Sequence, residues 1–339
     1  MPPRNVTEQG DSMRILLIFL AWIVTANAEI VKVEKRGVAD DIIKCEWNNE
    51  QGVPCVTINK SPNTNIVSRK INPTKIIYQT EIEKYQLTDL TKVLQFVNNV
   101  SIVQSGPTGQ QSSLFMRGSN SNHTLVLLNG IPINDQSTTN GAFDFGQDFM
   151  SNVIAVEVYK GSAGAHFGAD AIGGAVNIIS DIDYDNKINL SGANGAKGVD
   201  INYFTYVEDW QVNFKSGLTD TETESALAGG TDKDGAENKS FALTVKKWFT
   251  HNLQFRTHFF TRNTYADLDG HSLALQEGFD ADNNLYALQT GVDYDTRKSK
   301  NYITLHSHSY SREYNSPGKL GNEFDEYNSD AYVIRAEHK

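Results

Sequence analysis

Downstream of residue 180, apolar and polar side chains alternate with a period of two, in one segment after another. Trp210, Val212, Phe214 and Leu218 alternate with Gln211, Asn213 and Lys215, and Leu253, Phe255 and Phe259 stand against Gln254, Arg256 and His258. Tyr286, Leu288, Val292 and Tyr294 oppose Gln289 and Asp293 in the same way. Shorter stretches follow the pattern: Ile201, Tyr203 and Val207; Phe241, Leu243 and Val245; Tyr302 to Leu305; Ala331 to Ile334. Only an extended strand sends successive side chains to opposite faces, so this half of the chain must build a sheet with one apolar and one polar face. Two architectures meet that demand. A soluble β-sandwich buries the apolar face, whereas a membrane β-barrel turns it to lipid and keeps the polar face in its lumen. Segments of about ten residues with aromatics near their ends suit the barrel, although alternation alone does not separate the two.

Composition removes other classes. The 339 residues carry a net charge of −11 and contain no basic block, which argues against a nucleic-acid-binding face. A mean hydropathy of −0.43 excludes a bundle of membrane-spanning helices but leaves a membrane barrel open, because half of each strand is polar. The length suggests two domains. Two cysteines suffice for neither a disulfide scaffold nor a four-cysteine zinc site. Eight scattered histidines, with no nucleophile elbow, phosphate loop or HExxH, give no support to an enzyme; His306 and His308 share a strand face but lack a third ligand or a carboxylate base.

The N-terminus reads as an export signal over residues 13–28. Arg14 supplies the positive start, Ile15 to Val24 the apolar stretch, and Ala26-Asn27-Ala28 the small-residue cleavage site. The apolar run is too short to span a bilayer. Export to an oxidising compartment makes a Cys45–Cys55 disulfide an expectation, with two free thiols as the alternative. Residues 29–74 are polar, punctuated by Pro54, Pro62 and Pro73, and read as an extended arm.

Residues 75–184 change character. Lys75 to Tyr78 is a β-prone run, Thr80 to Tyr85 opens a small helix, and Leu87, Leu90 and Leu94 share a helical face with Thr88 as candidate N-cap. Strands are expected at Val100–Val103, Ser113–Gly118, Thr124–Gly130 with its closing Asn-Gly pair, Val153–Tyr159 and Gly174–Ile179. The irregular order and the Gly-, Ser- and Asn-rich loops between them predict an α+β domain whose loops do the recognising.

Three phrases here, LTDLTKVLQFVNNVSIVQSG, SSLFMRGSNSNHTLVLLNGIPIND and IAVEVYKGSAGAHFGADAIGGAVNIIS, resemble in order and spacing the plug domain of TonB-dependent outer-membrane receptors, most closely the vitamin B12 (cobalamin) transporters. The likeness is strong over residues 75–180. It implies an α+β plug domain followed, over residues 185–339, by the first strands of an antiparallel transmembrane β-barrel that in the family has 22 strands. About eight candidate strands are visible, so the sequence is expected to be the N-terminal part of such a receptor. The resemblance further implies that Arg117, and Lys160 where the family usually has Arg, lock the plug to acidic groups on the barrel wall. An ammonium cannot form the bidentate fork of a guanidinium, so Lys160 makes a weaker lock.

The loop from Gly229 to Glu237 places Asp232 and Asp234 at spacing two, with Asp267 in the next such loop. Alternate carboxylates around a Gly-permitted turn suit Ca²⁺, and cobalamin transporters carry a similar calcium-binding loop; a solvated acidic loop is the plainer reading. By position in the family, Gln110, Gln111 and Ser112, and Ser137, Thr138, Thr139 and Asn140, match the substrate-facing plug apices. Their uncharged amides and hydroxyls suit an amide-edged corrinoid, where a ferric-siderophore pocket would more often show aromatics and Arg. The energy-coupling segment that pairs edge to edge with periplasmic TonB is expected at Glu29, Ile30, Val31, Lys32 and Val33, with Cys55 to Ile58 as a rival. The resulting expectation is an outer-membrane receptor, in contact with lipid and TonB, for active uptake of cobalamin or a related corrinoid. A ferric-siderophore receptor is the alternative, and a secreted or surface calcium-binding β-protein the alternative of another class.

Overall fold

The computed structural model describes residues 73–338, apart from 139, 162–166, 169, 194, 226–232, 269–278, 297–298 and 320. The signal segment, the arm with Glu29 to Val33, both cysteines, Thr139 and Asp232 lie outside the described residues. By internal contacts the chain divides into Met1–Asn59 and Lys60–Lys339, and everything below belongs to the second unit.

The expected small domain is present. Its sheet has the order β1-β6-β7-β4-β5, formed by β1 (Lys75–Tyr78), β4 (Thr124–Leu128), β5 (Ile131–Pro132), β6 (Ala155–Lys160) and β7 (Gly174–Ile179), while β2 (Val100–Gln104) and β3 (Ser112–Met116) pair separately. Strands β4 and β7 run parallel, and the other pairs are antiparallel. Asn129 and Gly130 have φ of 51° and 83°, the positive values that a two-residue hairpin turn needs between β4 and β5. Two short helices, α1 (Gln79–Lys84) and α2 (Leu90–Gln95), complete it. The N-cap of α2 is Asp89, not Thr88: the Asp89 carboxylate accepts from the Lys92 amide at 3.0 Å, and the Thr88 hydroxyl donates to that carboxylate instead.

The remaining chain forms one eight-stranded antiparallel meander, ordered β15 to β8 without a crossover. Its strands are β8 (Lys187–Ala193), β9 (Ala196–Val207), β10 (Trp210–Glu224), β11 (Lys233–Thr250), β12 (Leu253–Leu268), β13 (Phe279–Asp295), β14 (Lys300–Lys319) and β15 (Gly321–His338). Register follows the alternation: Phe214, Leu243, Phe259 and Leu288 fall in one outward row, and Thr244, His258, Gln289 and His306 in one inward row.

Burial decides between sandwich and barrel. On β13 the outward Leu288 is 45% exposed and the inward Gln289 2%. Gln211, Asn213 and Lys215 of β10 are likewise buried while Leu218 is exposed. A soluble sandwich would show the reverse. A polar face turned inward on the small domain and an apolar face turned out is the arrangement a sheet needs in lipid. Among the described residues no helix is long and apolar enough to cross a membrane.

Small domain and sheet share one apolar core. Leu90 and Leu94 of α2, Leu114, Val126, Val156 and Val176 cluster with Ala242, Phe260, Leu285, Ala287 and Tyr310 from the inner face of the sheet. Each fully buried large side chain contributes roughly 1.5–3 kcal/mol, whereas a buried ion pair is often neutral on balance. The apolar contacts therefore supply most of the docking energy, and the polar ones described next fix its register.

Candidate functional site at the plug apex

Five ion pairs among the described residues join the small domain to the sheet: Asp135–Arg312 at 2.9 Å, Asp148–Arg262 at 2.8 Å, Asp181–Lys246 at 2.7 Å, and Lys187 with both Glu83 at 2.7 Å and Asp183 at 3.2 Å. In all five the carboxylate belongs to the small domain and the cation to the wall. That polarity is opposite to the expected lock, and neither Arg117 nor Lys160 takes part. Lys160 donates from Nζ to the Asn98 carbonyl and stands beside Arg117; partial burial and that neighbouring guanidinium push its ammonium below the usual value. Both cations stay on the small domain and meet no carboxylate among the described ion pairs.

The wall also reads the backbone of the β4–β5 hairpin. Gln289 donates to the Leu128 carbonyl at 2.7 Å, Arg335 to Gly130 at 2.6 Å and Tyr310 to Ile133 at 2.6 Å. The loop that follows is closed by Asp135, whose Oδ1 accepts from the Ser137 amide at 2.8 Å and from the Ser329 hydroxyl at 3.0 Å. Arg312 donates to Ser137 Oγ at 2.9 Å, so one carboxylate and one guanidinium pin this loop to β14 and β15.

Between the loop and the wall lies a cleft with a cavity of about 70 Å³, where Gln111, Thr138 and Asn140 meet Arg262, Tyr310 and Arg312. Three of the expected substrate-facing residues are thus brought together. Gln110 and Ser112 are not with them, and both are buried. The Gln110 amide donates to Asp234 Oδ2 at 3.2 Å and to the Asp267 carbonyl at 3.0 Å, while Ser112 donates from Oγ to the Gln110 carbonyl and from its amide to Asp144. Their polar groups hold the apex loop to itself and to the wall, so they are not available to a ligand.

Sequence reading missed the cations of this cleft. The Arg312 guanidinium lies 6.0 Å from the Tyr314 ring and 5.4 Å from the Tyr327 ring, and that of Arg262 lies 6.0 Å from Tyr310. An inward row of Tyr310, Arg312 and Tyr314 on β14 is itself a period-two signal that would have found it. Asp144 lines the cleft half-buried and Asp148 is buried beside it, and desolvation pushes both carboxyls above their ordinary range despite the Arg262 charge.

The register places the two described carboxylates of the expected calcium set, Asp234 and Asp267, on opposite faces of the sheet. Asp234 follows the inward parity of β11 and contacts Gln110, whereas Asp267 lies opposite Gly235 on the outward face and accepts from its amide at 3.1 Å. Among the described residues no group of three or more His, Cys, Asp or Glu side chains is placed to hold a metal ion.

At the opposite end, burial pushes the Asp181 carboxyl up, but the Lys246 ammonium overrides it and holds the group below 3.8. A depressed carboxyl stabilises the fold above its unfolded pKa, and that contribution is lost as pH falls through the folded value. Thermal stability should therefore drop on acidification below about pH 4, with a smaller drop in Asp181→Asn; equal slopes in the two proteins would contradict this.

Residues 67–175 match the TonB-dependent Receptor Plug Domain family. Solved structures extend the likeness from this plug domain into the sheet. The siderophore receptor PiuA from Acinetobacter baumannii aligns over 78% of this chain and 42% of its own, with a TM-score of 0.60 and 16% identity. The ferric yersiniabactin uptake receptor FyuA from Yersinia pestis aligns over 80% and 46%, with a TM-score of 0.61 and 15% identity. A variant of the ferric enterobactin receptor PfeA from Pseudomonas aeruginosa, in complex with enterobactin, aligns over 77% and 46%, with a TM-score of 0.62 and 15% identity. At these identities the likeness is one of fold: a plug domain followed by part of a receptor barrel. The chain spans less than half the length of each of these structures.

Proposed function

We propose that the protein is an outer-membrane, TonB-dependent receptor for active uptake of a ferric siderophore, captured as an anionic iron chelate over the plug apex. The observation that carries this reading is the Arg312 guanidinium in the cleft lining with Tyr310 and close to the Tyr314 ring, because a guanidinium beside aromatic rings suits an anionic, ring-bearing chelate. Siderophore receptors among the structural neighbours support it. Cobalamin is kept as the second reading on the uncharged Gln111, Thr138 and Asn140 of the same cleft. The inside-out burial of the sheet speaks for a lipid-facing wall and against a secreted calcium-binding protein, and no step is assigned to calcium.

In this reading the C-terminal ends of β10 and β12 face the exterior and the tight turns after β9 and β11 the periplasm. Captured ligand is released inward when TonB pairs with Glu29 to Val33 and displaces the plug. Arg117 and Lys160 remain candidates for a lock against carboxylates elsewhere on the wall.

The test is equilibrium binding by the detergent-purified protein of ferric tris-catecholate, ferric hydroxamate and cyanocobalamin. A ferric chelate should bind most tightly, and Arg312→Ala should weaken it about 30-fold or more, the loss expected when one partner of a desolvated charge pair is removed. Tighter binding of cyanocobalamin than of either chelate would reverse the order of the two readings.

A further inference from the structure

A second cavity, of about 650 Å³, lies between α1 of the plug domain and the inner face of β8 to β10. Its volume is in the range that holds a small-molecule ligand. One wall is the inward row of β10, with Thr223, Thr221 and Thr219 toward the loop end and Lys215 deeper along the strand. Thr223 and Lys215 are roughly 26 Å apart along an extended chain, so the cavity is a shaft and not a shallow dent. Between Thr219 and Lys215 the plug touches the wall: a Cβ placed on Gly217 would lie 2.2 Å from Cβ of Ser151. Only glycine allows so close a contact with Ser151, which marks a constriction of the cavity at that level.

Lys215 is 3% exposed, and its Nζ has no hydrogen-bond partner. The carboxylates of the cavity and its surroundings are engaged elsewhere, Asp183 and Glu83 with Lys187 at 3.2 and 2.7 Å, Asp200 with Ser151, and Asp181 with Lys246 at 2.7 Å. Burying an ammonium without an acceptor is unfavourable, and native structures seldom keep such a group without a use for it. A row of hydroxyls leading to an unpartnered buried cation can solvate a small anion along its length and hold it at the end.

We propose that this shaft is a second ligand site, separate from the apex cleft, which takes a small solute bearing a carboxylate, phenolate or phosphate and seats its charge on Lys215. The apex cleft is built on β12 to β14, the shaft on β8 to β10, so this site does not depend on which chelate the apex captures.

Charge-selective labelling tests it in the full chain. A Thr219→Cys variant in detergent is treated with anionic, cationic and neutral methanethiosulfonates, and reaction at position 219 is followed by peptide mass spectrometry. The anionic reagent should react at least about tenfold faster than the cationic one, the local enrichment expected of a charged recess. Adding Lys215→Met should abolish or invert that preference, and Lys215→Arg should keep it. The neutral reagent reports folding and access, and its rate should be similar in all three backgrounds. Equal or faster reaction of the cationic reagent with Lys215 present would overturn the proposal, as would no reaction with any reagent. An anion preference that survives Lys215→Met would also overturn it.

Discussion

Replacing Arg262 by Met should loosen the plug domain from the sheet by about 3–5 kcal/mol, the cost of leaving a buried carboxylate without its counter-ion. Side-chain exposure is 4% for Arg262 and 6% for Asp148, and Asp148 Oδ2 accepts no hydrogen bond, so the guanidinium at 2.8 Å is what keeps the charge tolerable. The double variant Arg262→Met with Asp148→Leu should recover most of the loss, because two apolar groups of similar volume often do as well as a buried pair. The sign of the pH dependence follows from the upward push that burial already exerts on Asp148. A carboxyl whose folded pKa lies above its unfolded value favours folding when protonated, so the defect of the single variant should shrink on acidification and grow as pH rises above about 4. Urea-dependent cleavage of the plug domain by a protease, measured for wild type, single and double variants, reads all three quantities. A single variant within about 1 kcal/mol of wild type, or a double variant no better than the single, would show that the pair does not secure the docking.

A larger side chain at Gly109 should be as damaging, for a different reason. This residue has φ of 94°, and a Cβ built on it would stand 2.3 Å from Cβ of Ala236 and 3.4 Å from that of Ala266. The apex loop therefore meets the wall backbone-to-methyl, against two alanines that pack with Phe149. Gly109→Val adds left-handed strain of about 1–3 kcal/mol to an overpacking cost of about 1–3 kcal/mol. Pairing it with Ala236→Gly should return only the steric part, so the double variant should sit between the single variant and wild type. If Gly109→Val alone melts like wild type, the loop does not dock as closely as the geometry shows.

Much of this fold was legible because a strand exposes its period in the residues themselves. Every pair read as opposed, such as Leu288 and Gln289 or Phe214 and Lys215, lies on opposite faces of the sheet. Strand β8 escaped because Ile188 and Leu190 are its only large apolar residues, too few to show a period in seven. Alternation could not say which face is buried, since that depends on what packs against the sheet. Thr88 and Asp89 are both good caps by chemistry, and backbone geometry chose the second.

The candidate site was harder to read. Gln111, Thr138 and Asn140 were found through their loops, but Asp135 and Arg312 are 177 positions apart and Asp148 and Arg262 are 114 apart, with no local pattern joining them. Gln110 and Ser112 had the composition of recognition residues and are spent on holding the loop together, a distinction that only hydrogen-bond partners reveal.

The polarity of the plug–wall ion pairs has a consequence for passage. While the plug is seated, Asp135, Asp148 and Asp181 neutralise Arg312, Arg262 and Lys246. In the proposed transport reading, drawing the plug aside would take those negative charges with it and leave a wall of uncompensated cations. A negatively charged cargo entering at that moment would take over the role of the departing carboxylates, so plug and cargo would compete for the same counter-charges, and each would ease the exit of the other.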